Sequence, residues 1–229
     1  MKAKTTKLIG RFWRWARPIV FMVVVLSAVR SSIADWNDVP TGSMLPTIVP
    51  GDRIFVNKLA YDLKVPFTDW RLAQWSTPAA GEIVVFFSPA DERRLVKRVV
   101  AVAGDTVELR DNRLVVNGRQ AEYEPAALDA TLPDEAHRPR RQLTEAGPAG
   151  MHPVILTSGL GSRRSFDAFV VPQGHCFVMG DNRDLSADSR YFGPVECSRI
   201  VGRATTVVIS LDRDSYYMPR LQRLLRPLE

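Results

Sequence analysis

Histidine is scarce in this chain: His137, His152 and His175 are its only three, and they are scattered. Cysteine is limited to Cys176 and Cys197. No set of these residues has the spacing of a metal site, so neither a metal nor another cofactor is expected. Acidic residues are missing from the first 17 positions, which hold Lys2, Lys4, Lys7, Arg11, Arg14 and Arg17. Those six cations account for the whole formal charge of +6, and the other 212 residues carry 25 basic and 25 acidic side chains. A nucleic-acid partner, which the net charge alone invites, therefore has little support. Repeats are absent, and 14 glycines and 16 prolines are too few to make disorder the default. The two cysteines are compatible with a disulfide in an oxidising compartment, or with two small buried hydrophobes.

The longest uncharged apolar run covers only residues 18–29. Twelve helical residues span ~18 Å, short of the ~30 Å hydrocarbon core of a bilayer. Interfacial aromatics extend it, with Trp13 and Trp15 before the run and Trp36 after it. Residues 1–17 read as a basic cytoplasmic N-terminus and 18–35 as a transmembrane anchor, with Arg17 and Arg30 snorkelling. The positive-inside rule puts the rest of the chain outside. A cleaved signal peptide is the rival reading, because Ser32-Ile33-Ala34 has small residues at both ends; Arg30, between the apolar run and that site, argues against it.

Beyond residue 36 the pattern turns to strands. Residues 53–57 alternate polar and apolar after a Pro50-Gly51-Asp52 turn, and 82–87 and 93–102 are apolar runs, the second broken by Lys97-Arg98. Segments 107–109 and 114–116 flank Asp111-Asn112 as a hairpin. Residues 169–171, 176–179 and 200–209 return to strand, and 180–193 form a polar loop. Residues 62–78 look irregular, and their Phe67, Trp70 and Trp75 either dip into a membrane surface or pack in a core. An excursion over 121–165, rich in Pro, Ala and Arg, reads as partly loop. The expected fold is mainly β: an antiparallel β domain over 36–210 behind one helix. In the tail, 211–229, Leu221, Leu224, Leu225 and Leu228 recur at helical intervals between arginines. That pattern fits an amphipathic helix on anionic lipid or a helix capping the domain.

The chemistry points to Ser43, in Pro40-Thr41-Gly42-Ser43-Met44-Leu45-Pro46-Thr47. Gly42 frees the backbone, and Pro46 stops a helix from continuing, so Ser43 is presented on a stiff turn. A serine nucleophile needs a base, and no histidine is near in sequence. Lys97 is the alternative. It sits in an apolar strand where Lys97 and Arg98 face opposite ways. Burial disfavours the ammonium, and bringing an amine from ~10.4 to near 7 costs ~4 kcal/mol, within reach of a buried lysine. The loop 180–190 is dense in hydrogen-bonding side chains and could orient that lysine.

Four blocks in order carry a resemblance: PTGSMLPTI at 40–48, GDRIFVNKLAY at 51–61, KRVVAVAGD at 97–105 and GDNRDLSADSRYFGPV at 180–195. Together they resemble the bacterial type I signal peptidases, membrane-bound Ser/Lys endopeptidases. The resemblance implies Ser43 as nucleophile, Lys97 as general base and Ser186 as the hydroxyl that orients the lysine. It implies an oxyanion hole from the Ser43 N–H and the Thr41 hydroxyl, and Arg98, Asp181, Asp188 and Arg190 as bracing charges. Val39, Met44, Val84 and Val96 match positions near the substrate pockets. The implied fold is the signal-peptidase β domain with an inserted excursion, and the implied site is the periplasmic side of the inner membrane. The implied partners are the signal sequences of exported preproteins, cut after Ala-X-Ala, and the lipid bilayer, with proximity to the secretion translocon. A dedicated peptidase of the same family, for pilin-like or conjugation substrates, is the alternative, and a non-catalytic tethered β domain is a third. The chain departs from the family pattern at Ala101 and Ala103, where Gly and Pro are usual, and at Thr41, where serine is common.

Overall fold

The computed structural model describes residues 2–68, 70–129, 132–133, 137–213 and 215–228, with side chains from Trp13 and Trp15 onward. The side chains of Lys2, Lys4, Lys7, Arg11 and Arg14 lie outside the described ones, as do residues 130–131 and 134–136 of the excursion. A long N-terminal helix, α1, runs over Lys2–Ser32. Its apolar stretch, Trp15–Ser32, is 18 residues long with mean hydropathy 1.3 and only 6% of it is buried. That is about 27 Å of helix, close to the hydrocarbon thickness. The helix thus starts earlier and stops sooner than the 18–35 segment read from sequence. Trp36 lies past its end, exposed on the strand Ala34–Asp38. Arg30 there pairs with Asp35 at 2.8 Å and stacks over the Trp36 ring at 5.6 Å.

The rest is mainly antiparallel sheet, as expected. The main sheet orders Ala34–Asp38, Asp52–Asn57, Ile200–Asp212, Ile83–Phe87, Arg94–Val102, His175–Met179 and Val195–Glu196. Strand alternation explains its packing. Ile54 and Val56 point inward and join Val39, Met44, Ile48, Ile83, Val85, Ala204 and Val207 in one cluster. The intervening residues Val84 and Phe86 face the other way and pack with Tyr61, Val99, Val178 and Ile200. Ile200–Asp212 is long enough, at 13 residues, to pair with both Asp52–Asn57 and Ile83–Phe87, and register shifts on both sides let it coil between them.

A second sheet joins Phe166–Val170, Thr106–Arg110, Arg113–Val116 and Arg119–Gln120. Its hairpin turns at Asp111 and Asn112, both at positive φ, as a type I′ turn requires. The excursion is more regular than its composition implied: Glu122–Ala126, Arg140–Gly147 and Gly150–Thr157 form a three-stranded sheet. A further hairpin, Asp62–Lys64 with Arg71–Gln74, occupies part of the segment expected to be irregular. Phe67, Trp70 and Trp75 are all exposed there, which removes the core-packing alternative. Neither tail reading holds as a helix. The tail makes two short strands, Met218–Pro219 and Arg226–Pro227, and one 3-10 turn, Leu221–Arg223, against Ile200–Asp212. Arg223 is the reason: its guanidinium turns inward to a buried carboxylate, a direction the leucine spacing does not report.

Candidate active site

Ser43 sits on the turn that follows Val39. Leu45 N–H closes back on Gly42 O at 3.0 Å and Ile48 N–H on Met44 O at 2.9 Å, so the loop is tight on the C-terminal side of the serine. Ser43 itself is half-buried, and among the described residues its N–H has no hydrogen-bond partner. Met44, the next residue, is buried in the core and anchors the turn.

Lys97 comes from the middle of Arg94–Val102, flanked across the ladder by Val84. It is 2% exposed. Its Nζ lies 2.5 Å from Ser43 Oγ and 3.0 Å from Val96 O. Burial lowers its pKa from 10.5 to about 8; the carboxylates of Asp188 and Asp181 oppose that shift, and the Arg190 guanidinium assists it. A fraction of this amine is therefore neutral near physiological pH, and in that form it can accept a proton from a hydroxyl in contact with it.

The loop after Met179 supplies the frame. Asp188 caps the short helix Ser189–Phe192 and takes a bidentate pair from Arg190, Nε to Oδ1 and Nη2 to Oδ2, both at 2.8 Å and fully buried. Asp181 is likewise held by Arg98 at 2.8 and 3.0 Å and by the Thr47 hydroxyl at 2.5 Å. Burial alone raises the Asp181 carboxyl, but Arg98, His152 and Thr47 more than offset it and hold it ionised. Breaking such a buried pair by removing one partner costs about 3–5 kcal/mol.

The four bracing residues read from sequence thus form two buried ion pairs beside the lysine. Ser186 does not do what was expected of it. Its hydroxyl donates to Asp188 Oδ2 at 2.7 Å, and the Lys97 amine is held by Ser43 and Val96 O instead. The carboxylate of Asp188 is the stronger acceptor for that hydroxyl. Thr41 is exposed, and its hydroxyl has no partner among the described residues. Of the pocket residues, Val39, Met44 and Val96 share one cluster. Val84 does not join them: alternation turns it to the opposite face, and Val85, paired with Val96, takes that place.

Several residues escaped the sequence reading. Asn182 ties the serine turn down, its Nδ2 donating to Gly42 O at 3.0 Å and its N–H to Ser43 O at 3.1 Å. Gly180 is required for close approach: a Cβ there meets Ser186 Oγ at 2.2 Å and Ser43 O at 2.4 Å. Arg223 of the tail binds Asp52 Oδ2 at 2.6 Å and Thr47 O at 3.0 Å, clamping the far side of the serine loop. Glu145 of the excursion pairs with Arg183 at 2.6 Å and so holds the loop from outside. Gly180 and Asn182 lay within a recognised block. The pairing of Arg223 and Glu145 with partners far away in sequence had no local signal.

Residues 12–209 match the family model described as signal peptidase, peptidase S26. Curated relatives agree. A signal peptidase I of Pseudomonas aeruginosa is 34% identical over 84% of this chain and 70% of its own length. One of Pseudomonas fluorescens is 33% identical over the same shares, and one of Aquifex aeolicus is 32% identical over 84% of this chain and 82% of its own. Among the described residues no group of His, Cys, Asp or Glu has the arrangement of a metal site. A serine and a buried lysine in contact, framed by two buried ion pairs on the matched segments, thus accompany a family match over most of the sequence: this chain belongs to the signal peptidase family, peptidase S26, and is a serine endopeptidase.

Proposed function

We propose that this chain cleaves the N-terminal signal peptides of exported preproteins after an Ala-X-Ala sequence, through a Ser43/Lys97 dyad and an acyl-enzyme. The contact between Ser43 Oγ and the buried Lys97 Nζ carries the reading. Neutral Lys97 takes the hydroxyl proton as Ser43 attacks the scissile carbonyl. The Ser43 N–H, with the Thr41 hydroxyl swung inward, stabilises the oxyanion. The lysine ammonium then protonates the leaving amine, and the freed amine activates the water that hydrolyses the ester. Asp188 and Asp181, locked by Arg190 and Arg98, keep the lysine in place without taking the proton.

In this reading the small side chains of the substrate sit against the apolar cluster that holds Val39, Met44, Val85 and Val96, next to the serine turn. The substrate binds extended, adding main-chain hydrogen bonds to a strand edge. α1 spans the inner membrane once with its basic end in the cytoplasm, which sets Ser43 at the outer face where a translocated signal sequence presents its cleavage region. Incubation of the full chain with a preprotein, followed by mass spectrometry of the products, tests both activity and cut position. Ser43→Ala and Lys97→Met are each expected to lose about 10²–10⁴-fold in rate while remaining folded. Near-wild-type cleavage by either variant, or a cut after bulky residues, overturns the proposal.

A further inference from the structure

Cys176 and Cys197, the only cysteines in the chain, face one another. Their Sγ atoms are 3.1 Å apart, and both are free thiols. Cys176 is buried in the strand His175–Met179, and Cys197 is half-buried just past Val195–Glu196, its N–H bonded to Gly174 O at 2.8 Å. Those two strands pair over only two positions, His175 with Glu196 and Cys176 with Val195. Between them runs the whole loop that carries Asp181, Asn182, Ser186, Asp188 and Arg190.

We propose that Cys176 and Cys197 are a disulfide site whose bond closes the base of this loop and holds the frame of the lysine. Cys197 starts the reaction. It is the more accessible thiol, and the hydrogen bond from Cys176, with His175 and Arg71 beside it, favours its thiolate. The thiolate attacks the reactive disulfide of an oxidised dithiol catalyst, forming a mixed disulfide and expelling one catalyst thiolate. Cys176 then gives up its proton and attacks Cys197 Sγ, expelling the second catalyst sulfur. Two electrons and two protons leave with the catalyst as a dithiol. Formation of the bond in the cell rests on the outward orientation proposed above; its formation in vitro does not.

The test uses the full chain in detergent, oxidised with glutathione disulfide as the probe, then denatured, alkylated and weighed intact. The reduced chain is expected to take two labels. The oxidised chain is expected to take none and to be lighter by two hydrogens, with no peptidase assay involved. Its unfolding midpoint is expected to rise by about 5–10 °C over the reduced chain, and amide exchange across 180–193 to slow. Cys197→Ser is expected to abolish both changes. A chain that keeps its free thiols, holds a lasting glutathione adduct at Cys197, or links to a second copy overturns the site. A bond that leaves exchange across the loop unchanged overturns its bracing role.

Discussion

A lysine in an apolar strand becomes a base only if its surroundings withhold water more effectively than nearby carboxylates restore charge. Here burial outweighs the opposing pull of Asp188 and Asp181, because each carboxylate is already committed to an arginine. Gly180 is the residue on which this closeness depends. Gly180→Ala places a methyl against Ser186 and the Ser43 carbonyl. It is expected to cost about 1–3 kcal/mol in urea unfolding and to reduce turnover more than substrate binding; unchanged kinetics contradicts the close-approach argument. At this scale much was legible. Ser43, Lys97 and the four bracing charges stand in recognisable blocks, and Lys97 declared itself by interrupting an apolar run. The partner of Ser186 was not legible, since a hydroxyl two residues from a carboxylate and one reaching toward an amine look the same in sequence. The choice between Val84 and Val85 was hidden for a related reason: alternation says that they differ, and only the register says that Val85 pairs with Val96 and Val84 with Lys97.

The elements of the site come from three places in the chain: the serine turn, the lysine strand and the loop after Met179. Strand alternation made the second readable, and proline and glycine made the first. The tail and the excursion were not readable, because both lean on partners far away in sequence. Arg223 buries its guanidinium against Asp52 and Thr47 O, which cancels the helical preference of the leucine pattern. Glu145 does the same for the excursion through Arg183 and accepts from Tyr123. Arg223→Gln leaves Asp52 buried without its counter-ion and is expected to destabilise the domain by about 3 kcal/mol. Calorimetry of the full chain measures this, and a shift within the range of surface substitutions contradicts the clamp.

The whole molecule is a helix joined end-on to a β domain, with exposed Phe67, Trp70, Leu72 and Trp75 near the junction, where the Phe67 N–H bonds Ser31 Oγ at 2.8 Å. Protease added to intact spheroplasts is expected to remove the β domain and spare the basic N-terminus; survival of the domain until the membrane is permeabilised contradicts the proposed orientation. The fold class was visible from hydrophobic patterning, but the helix limits were not, since Trp36 marks an interface equally well from a strand. All of this placement bears on one amine that gives up its proton more readily than a free lysine. Nitrogen-15 NMR titration of Lys97 in the folded chain measures it directly. The expected midpoint is near 8, with cleavage rising as pH passes through that value if the neutral amine is the base, as proposed. A lysine that stays protonated to the pH of a free amine, ~10.4, contradicts it.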